Sequence, residues 1–510
     1  MVRRGLTLAL ILLAAPAAAQ SDRPLSAIDW LSQSVEPPPA PAAAVTPAPQ
    51  RAEPPVADGA GVPQIVVTPL DSTAPVAVGT LGQEATGLPP TLWAASDTDT
   101  LVTLIQAQGE PTLPVLRELF QTVLLARAVP PPGDDGRLLL ARIDKLLDLA
   151  DLPQALDLIR AGDPTQPDMF RRWFDVALLS GTEDEACATM ETAPGLAPTY
   201  PARIFCLARS GDWMAAALTL NTHRALGDVS EAEDALLSRF LDAELVDPEA
   251  PLPPPERLSP LIFRMREAIG EGLATRPLPL AFARADLRDT VGEKARLDAA
   301  ERLSMHGALS AQDLGRVMTG VTPAASGGVW DRVDAFKTFN AAVNAGDTPA
   351  IATALPDVWA AMQAIRAEVT FADLYAGPLS RFDLSGPAAD IATTVMLLAG
   401  DYAAATRSTD VPPLTRAVAT GSFDEFQPET AMEEAIVAGF GNGQPPQVFV
   451  DLMSAGKLGE ALLRVLPVFD AGVAGDARSV TDALLVLRRA GLAETARRAA
   501  LQLILLDRTT

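Results

Sequence analysis

The sequence predicts an all-α protein, a superhelical α-solenoid of stacked helix hairpins behind a disordered proline- and alanine-rich N-terminal tether. Three observations lead there. Alanine and leucine dominate a chain that is 48% apolar but only 5% aromatic, with few β-branched runs, which favours close-packed helices over sheets. Helical periodicity sets in near Asp97 and continues to the end. One helix-turn-helix pattern recurs within that stretch, clearest in PARIFCLARSGDWMAAALTL at residues 201–220.

The chain opens MVRRGLTLALILLAAPAAAQ, with Arg3 and Arg4 ahead of an apolar run from Leu6 to Ala15 and the small residues Ala17 to Ala19. That order predicts a secretory signal peptide over 1–19, cut before Gln20. The residues after the arginines lack the rest of a twin-arginine pattern, so the general secretory route into the periplasm is expected. No later apolar run reaches the roughly 18 residues that a membrane span needs. A net charge of -24 repels phosphate backbones and anionic headgroups, which argues against nucleic acid and electrostatic membrane docking.

Residues 20–35 contain LSAIDWLSQ, where Leu25, Ile28 and Leu31 fall at helical spacing with Trp30 beside them. So short an amphipathic helix is marginal alone; on its tether it either docks back on its own solenoid or is held out for a partner, and these four residues are the candidate partner-binding motif. Prolines then forbid helix and sheet over 36–61, a tether or linker. The stretch VPQIVVTPLDSTAPVAVGT has strand-like residues, but Pro63, Pro69 and Pro75 bar it from a central strand; 62–96 is therefore an extended arm laid on the body. A helical half follows over 97–245, with a lesser break at VPPPGDDG. The proline-rich connector at 246–258 separates it from a second helical half, 259–510.

The repeated turn occurs seven times, centred on Ala150, Gly181, Gly211, Gly346, Gly400, Gly456 and Gly491. Glycine suits the left-handed residue that closes a helix, and the aspartate that follows it in three copies can cap the next helix. Five residues on, Ala186, Ala216, Ala405, Ala461 and Ala496 let two helices approach closely. Spacings of 31, 30 and 35 residues fit one helix hairpin per repeat, whereas the intervals of 54 and 56 residues around Gly400 hide an irregular pair. Gly400-Asp401-Tyr402 with Ala405, and Gly211-Asp212-Trp213 with Ala216, resemble the start of the second helix of tetratricopeptide repeats. That family prefers a small residue seven positions before the glycine, where this chain has Phe174, Ile204, Thr393, Phe449 and Leu484, so the likeness is to an irregular, divergent array. The resemblance implies a scaffold that binds proteins or peptides.

Cys187 and Cys206 flank the loop from Ala193 to Pro201 at equal distances, so in an antiparallel hairpin they lie level and can be bridged. In an oxidising compartment a structural disulfide is expected, contributing about 3 kcal/mol. A metal site would need further ligands, and the only histidines are His223 and His306.

Other motifs have ordinary readings. Ser454-Ala-Gly-Lys457 spells the S-x-x-K of acyl-transfer enzymes but lacks their partner elements and coincides with a repeat turn. GFGNGQPPQ, from Gly439, sits between helices and is a connector, not a phosphate loop. Ser326 is expected to cap the helix leading to Phe339. The acid clusters Glu183-Asp184-Glu185, Asp134-Asp135 and Glu433-Glu434 read as solvated helix starts. Trp93, Trp173, Trp213, Trp330 and Trp359 are expected, for the greater part, to fill gaps between alanine-rich helices. Secreted lytic transglycosylases combine a helical superhelix with a catalytic domain whose glutamate stands in a Glu-Ser context, and no Glu-Ser dipeptide occurs here. The expectation is a non-enzymatic periplasmic scaffold for an unidentified envelope protein or peptide, with no catalytic residue, cofactor or metal. The alternative is an envelope enzyme, or an accessory to one, acting on peptidoglycan or an exported polymer.

Overall fold

The computed structural model describes residues 76–506, apart from 246, 248–249, 406–407, 409 and 425. The signal peptide at 1–19, the motif carrying Leu25, Ile28, Trp30 and Leu31, the linker at 36–61 and the arm as far as residue 75 lie outside the described residues. Within them the fold is all-helical, with 24 α-helices and no strand. The helices start where local chemistry favours it. Asp97, Asp212 and Asp347 each accept a hydrogen bond from a first-turn amide, and Ser230–Glu233 and Thr430–Glu433 form reciprocal capping boxes. Pro114, Pro167, Pro201 and Pro260 occupy first turns, where a missing N–H costs nothing.

All seven repeat turns close alike. The residue at each centre has φ between 59° (Ala150) and 89° (Gly211). The amide of the next residue donates to the carbonyl five positions back, from Asp151 to Leu146 (2.8 Å) at one end of the series to Leu492 to Leu487 (2.9 Å) at the other. Five more turns of this type, at Gly227, Gly270, Gly307, Arg366 and Gly475, were not evident from the pattern. Arg366 divides the long interval between Gly346 and Gly400. Ala186, Ala216, Ala461 and Ala496 are wholly buried, as is Ile351 at the equivalent place after Gly346. Phe174, Ile204, Phe449 and Leu484 are buried against them from the preceding helices.

The arm residues Val76 to Leu81 make isolated β-bridges from Val78 to Ala128 and from Leu81 to Ala126. Arg142, on the helix Arg137–Asp148, clamps this segment. Its guanidinium donates to the carbonyls of Leu124 (2.6 Å), Ala126 (2.9 Å) and Val78 (3.0 Å). Burial pushes this arginine down to about 10, with Asp134 opposing the shift.

The two ends of the described chain meet. Helices Thr98–Ala107 and Pro114–Leu125 pack on Leu458–Val473, and Pro114–Leu125 also packs on Ala493–Leu505. Polar contacts fix the seam: Thr112 N donates to Asp470 (2.8 Å), Val115 N to the buried Gln502 Oε1 (2.9 Å), and Gly459 N to the Leu92 carbonyl (3.1 Å). One apolar cluster takes in side chains from Leu88 to Leu506. Across the 246–258 connector, helix Glu231–Leu241 packs on Pro260–Ala268, and Arg284 donates to the Ala150 carbonyl at 3.0 Å.

Candidate functional site

The disulfide lies where the sequence places it. Cys187, on helix Glu183–Thr192, and Cys206, on Tyr200–Arg209, are bonded with their Cα atoms 5.1 Å apart. Thr199 caps the second helix, and the intervening loop turns through Pro194–Leu196, which sets the two helices side by side. The bond forms one wall of a cleft of about 220 Å³, whose rim carries Met190, Glu191, Arg203, Leu207 and Arg209.

Behind that cleft the charges are paired off. Arg209 reaches Asp184 (2.6 Å) and Glu183 (3.2 Å), Glu183 also holds Arg264 (2.9 Å), and Glu267 joins Arg264 to Arg288 at 2.6 Å each. Burial disfavours the charge of Glu267, but hydrogen bonds from Arg288 and Arg264 outweigh it and hold its carboxyl below the usual range. The solvated reading of the first acid cluster therefore needs correction: the Glu183 side chain is only 1% exposed and is committed to two arginines. Such a carboxylate ties its own helix to Tyr200–Arg209 and Pro260–Ala268. Asp184 and Glu185 are exposed, and Glu433 is spent on its capping box.

The remaining sequence candidates fall into place singly. Ser454 ends one helix, and Lys457 precedes the next across the left-handed Gly456, so S-x-x-K is a turn. The connector reading of GFGNGQPPQ matches its place between Ala431–Phe440 and Gln447–Ser454. Ser326 does not cap. Gly327 and Gly328 adopt φ of 94° and 61°, which delays the helix to Val329 and leaves Gly328 at the cap with no side-chain bond. Trp93, Trp173, Trp330 and Trp359 are buried, whereas Trp213 is 50% exposed.

Trp213 opens the helix Trp213–Leu226, which packs on Tyr200–Arg209 of the stapled hairpin. His223 on this helix stacks on Tyr200, ring centroids 4.1 Å apart, and its Nδ1 lies 3.1 Å from Asp228. Ala216 and Leu220 face the core, while Met214, Leu218 and Leu226 project into solvent. The sequence carried a signal for this face in Met214 and Leu218, apolar residues one helical turn apart.

Two buried carboxyls are electrostatically unusual. Asp151 is raised by burial against the pull of Arg117, which donates to it at 3.0 Å. Asp175, inside helix Pro167–Ser180, is pushed up to about 7 by burial, with Arg171 and Arg172 opposing the shift and Asp144 adding to it. Among the described residues no group of three or more His, Cys, Asp or Glu is placed to hold a metal ion, and no helix is long and apolar enough to cross a membrane. No protein family model, curated protein or solved structure matches the chain.

Proposed function

We propose that this chain is a non-enzymatic periplasmic scaffold, an irregular tetratricopeptide-like solenoid of helix hairpins that holds another envelope protein or peptide. The observation that carries the reading is the recurrence of one closure at seven turns, each with a left-handed centre and the same backbone bond. Stacked helix hairpins of this kind present extended surfaces suited to holding a partner. The leader-like first 19 residues and the disulfide support an oxidising compartment outside the cytoplasm. Leu25, Ile28, Trp30 and Leu31 are its proposed contacts with that partner.

Crosslinking in intact cells followed by purification of the mature chain tests this. One envelope protein recovered in stoichiometric amount from wild type, and lost on deletion of residues 20–35, is the expected result. Purified mature chain is assayed in parallel for release of muropeptides. Reproducible turnover abolished by one acidic substitution would overturn the scaffold reading in favour of an envelope enzyme acting on peptidoglycan.

A further inference from the structure

Four of the eight large apolar side chains exposed among the described residues sit on the single helix Trp213–Leu226. Met214 is 82% exposed, Leu218 68%, Leu226 67% and Trp213 50%. Ala216 and Leu220 hold the opposite side of the helix in the core. Arg224 does not cover the stripe, because its guanidinium turns to Asp234 on the next helix at 2.5 Å. Met214, Leu218 and Leu226 fall on one side of the helix with exposed Thr222 between the last two and Trp213 off their line in the first turn, so the result is an uncharged strip about 20 Å long.

We propose that this strip is the seat of residues 25–33 of the same chain in the free protein. The inference does not rest on the scaffold reading. It follows from what can fill a surface of this size. A strip of about 20 Å by about 10 Å offers on the order of 200 Å², far below the roughly 800 Å² per partner of a stable association between separate chains. A second copy is therefore a poor fit. An anionic membrane is repelled by a net charge of -24. A segment of the same chain escapes both objections, since tethering supplies it at millimolar effective concentration.

Residues 25–33 match the strip in length and chemistry. As one helix of about 13 Å they set Leu25, Ile28 and Leu31 along one side with Trp30 adjoining, and their single charge is Asp29. The distance also suits. The described chain starts at Val76, and Val78 is fastened to helix Arg137–Asp148 through Arg142. From that helix the path of neighbouring helices to Trp213–Leu226 runs through Pro167–Ser180, Glu183–Thr192 and Tyr200–Arg209. Four interhelical steps of 8–10 Å give a span on the order of 40 Å. The roughly 40 residues between Gln33 and Val76 are rich in proline and reach over 100 Å when extended at about 3 Å per residue, so the tether spans this distance with length to spare.

The test uses the full mature chain carrying Ile28→Cys with Leu218→Cys, and as a control Ile28→Cys with Met305→Cys, since Met305 is also exposed. The expected result is an intrachain crosslink from the thiol introduced at position 28 to the one at position 218 that forms about tenfold faster than to the one at position 305, at a rate independent of protein concentration. Hydrogen exchange gives a readout without cysteines. Amides of residues 25–33 are expected to be protected in wild type and to exchange about tenfold faster in Leu218→Lys, with the melting temperature of the body unchanged. Equal crosslinking rates, or exchange at 25–33 that Leu218→Lys leaves unchanged, would overturn the proposal. So would a crosslink that forms only between chains and rises with concentration, because it assigns the strip to a second copy. Loss of the seat with partner recovery intact would leave the scaffold reading standing.

Discussion

Gly459 lies directly against the indole of Trp93. A Cβ at this position would fall 2.6 Å from two ring carbons and 2.8 Å from the Leu92 carbonyl oxygen, to which the Gly459 amide donates. This is the tightest point of the seam between the two ends of the described chain, and only glycine leaves room for the ring. Gly459→Ala is expected to cost about 1–3 kcal/mol in thermal or urea unfolding and to render residues 88–125 protease-sensitive. Gly320, at the end of helix Ala311–Gly320 with nothing within 4 Å of its hypothetical Cβ and no proline directly after it, is the internal control. There alanine is expected to stabilise by about 0.5–1 kcal/mol through backbone entropy. A neutral Gly459→Ala would show that the seam does not depend on this contact.

Ala150 and Arg366 take up φ of 59° and 52°, the two non-glycine residues in the left-handed region among those described. Each closes a helix as the glycines do, at a steric cost of about 1–2 kcal/mol. Replacement by glycine relieves that strain but frees the unfolded chain by up to about 1 kcal/mol. Ala150→Gly and Arg366→Gly are accordingly expected to raise the unfolding free energy slightly, by up to about 1 kcal/mol each, as read from urea unfolding. Arg366→Val, with a β-branch in the same conformation, is expected to lower it by more than 1 kcal/mol. A glycine variant less stable than wild type would mean that the side chain lost contributes more than the strain relieved.

Those two residues also mark what local sequence can convey. The pattern at Gly211-Asp212 is legible because its chemistry is self-contained: a left-handed glycine, then a cap that accepts from Ala215. Arg366 is forced into the same role by the helices on either side, and no local rule announces it. Cys187 and Cys206 could be paired by their symmetry about one loop. Glu183 could not be read correctly, because its partner Arg264 lies 81 positions away, and long-range pairing turned an expected solvated acid into a buried one. Trp213 fits the repeat pattern yet faces solvent, since its burial depends on a neighbouring layer that the pattern does not specify.

Reducing the disulfide, or replacing Cys187 and Cys206 by serine, is expected to lower stability by about 3 kcal/mol while leaving far-ultraviolet circular dichroism nearly unchanged. The helices it joins, Glu183–Thr192 and Tyr200–Arg209, also pack on one another directly, and Phe205 of the second meets Phe174 of the preceding helix Pro167–Ser180 edge-on at 6.4 Å, so the hairpin persists without the bond. Thiol titration of the denatured mature protein should find no free cysteine. Two titratable thiols, or a large loss of helix on reduction, would contradict this account.

Asp175 gives the pH dependence a definite sign. Burial lifts its carboxyl from the ordinary 3.8 to about 7, with Arg171 and Arg172 offsetting only part of the effect and Asp144 adding to it. Between these two values the folded chain holds a proton that the unfolded chain releases. Its contribution to stability is therefore greatest below about pH 4, falls as pH rises toward 7, and is flat above that. The full change is on the order of 4 kcal/mol. Other carboxylates, such as Glu267 held below the usual range by its arginines, slope the opposite way, so the wild-type curve alone does not isolate the effect. The difference between wild type and Asp175→Asn does. The variant is expected to match wild type within about 1 kcal/mol at pH 4 and to exceed it by a few kcal/mol at pH 8, measured by urea unfolding. A difference that stays constant from pH 4 to 8 would mean that Asp175 keeps its charge in the folded chain, with Arg171 and Arg172 supplying the full compensation.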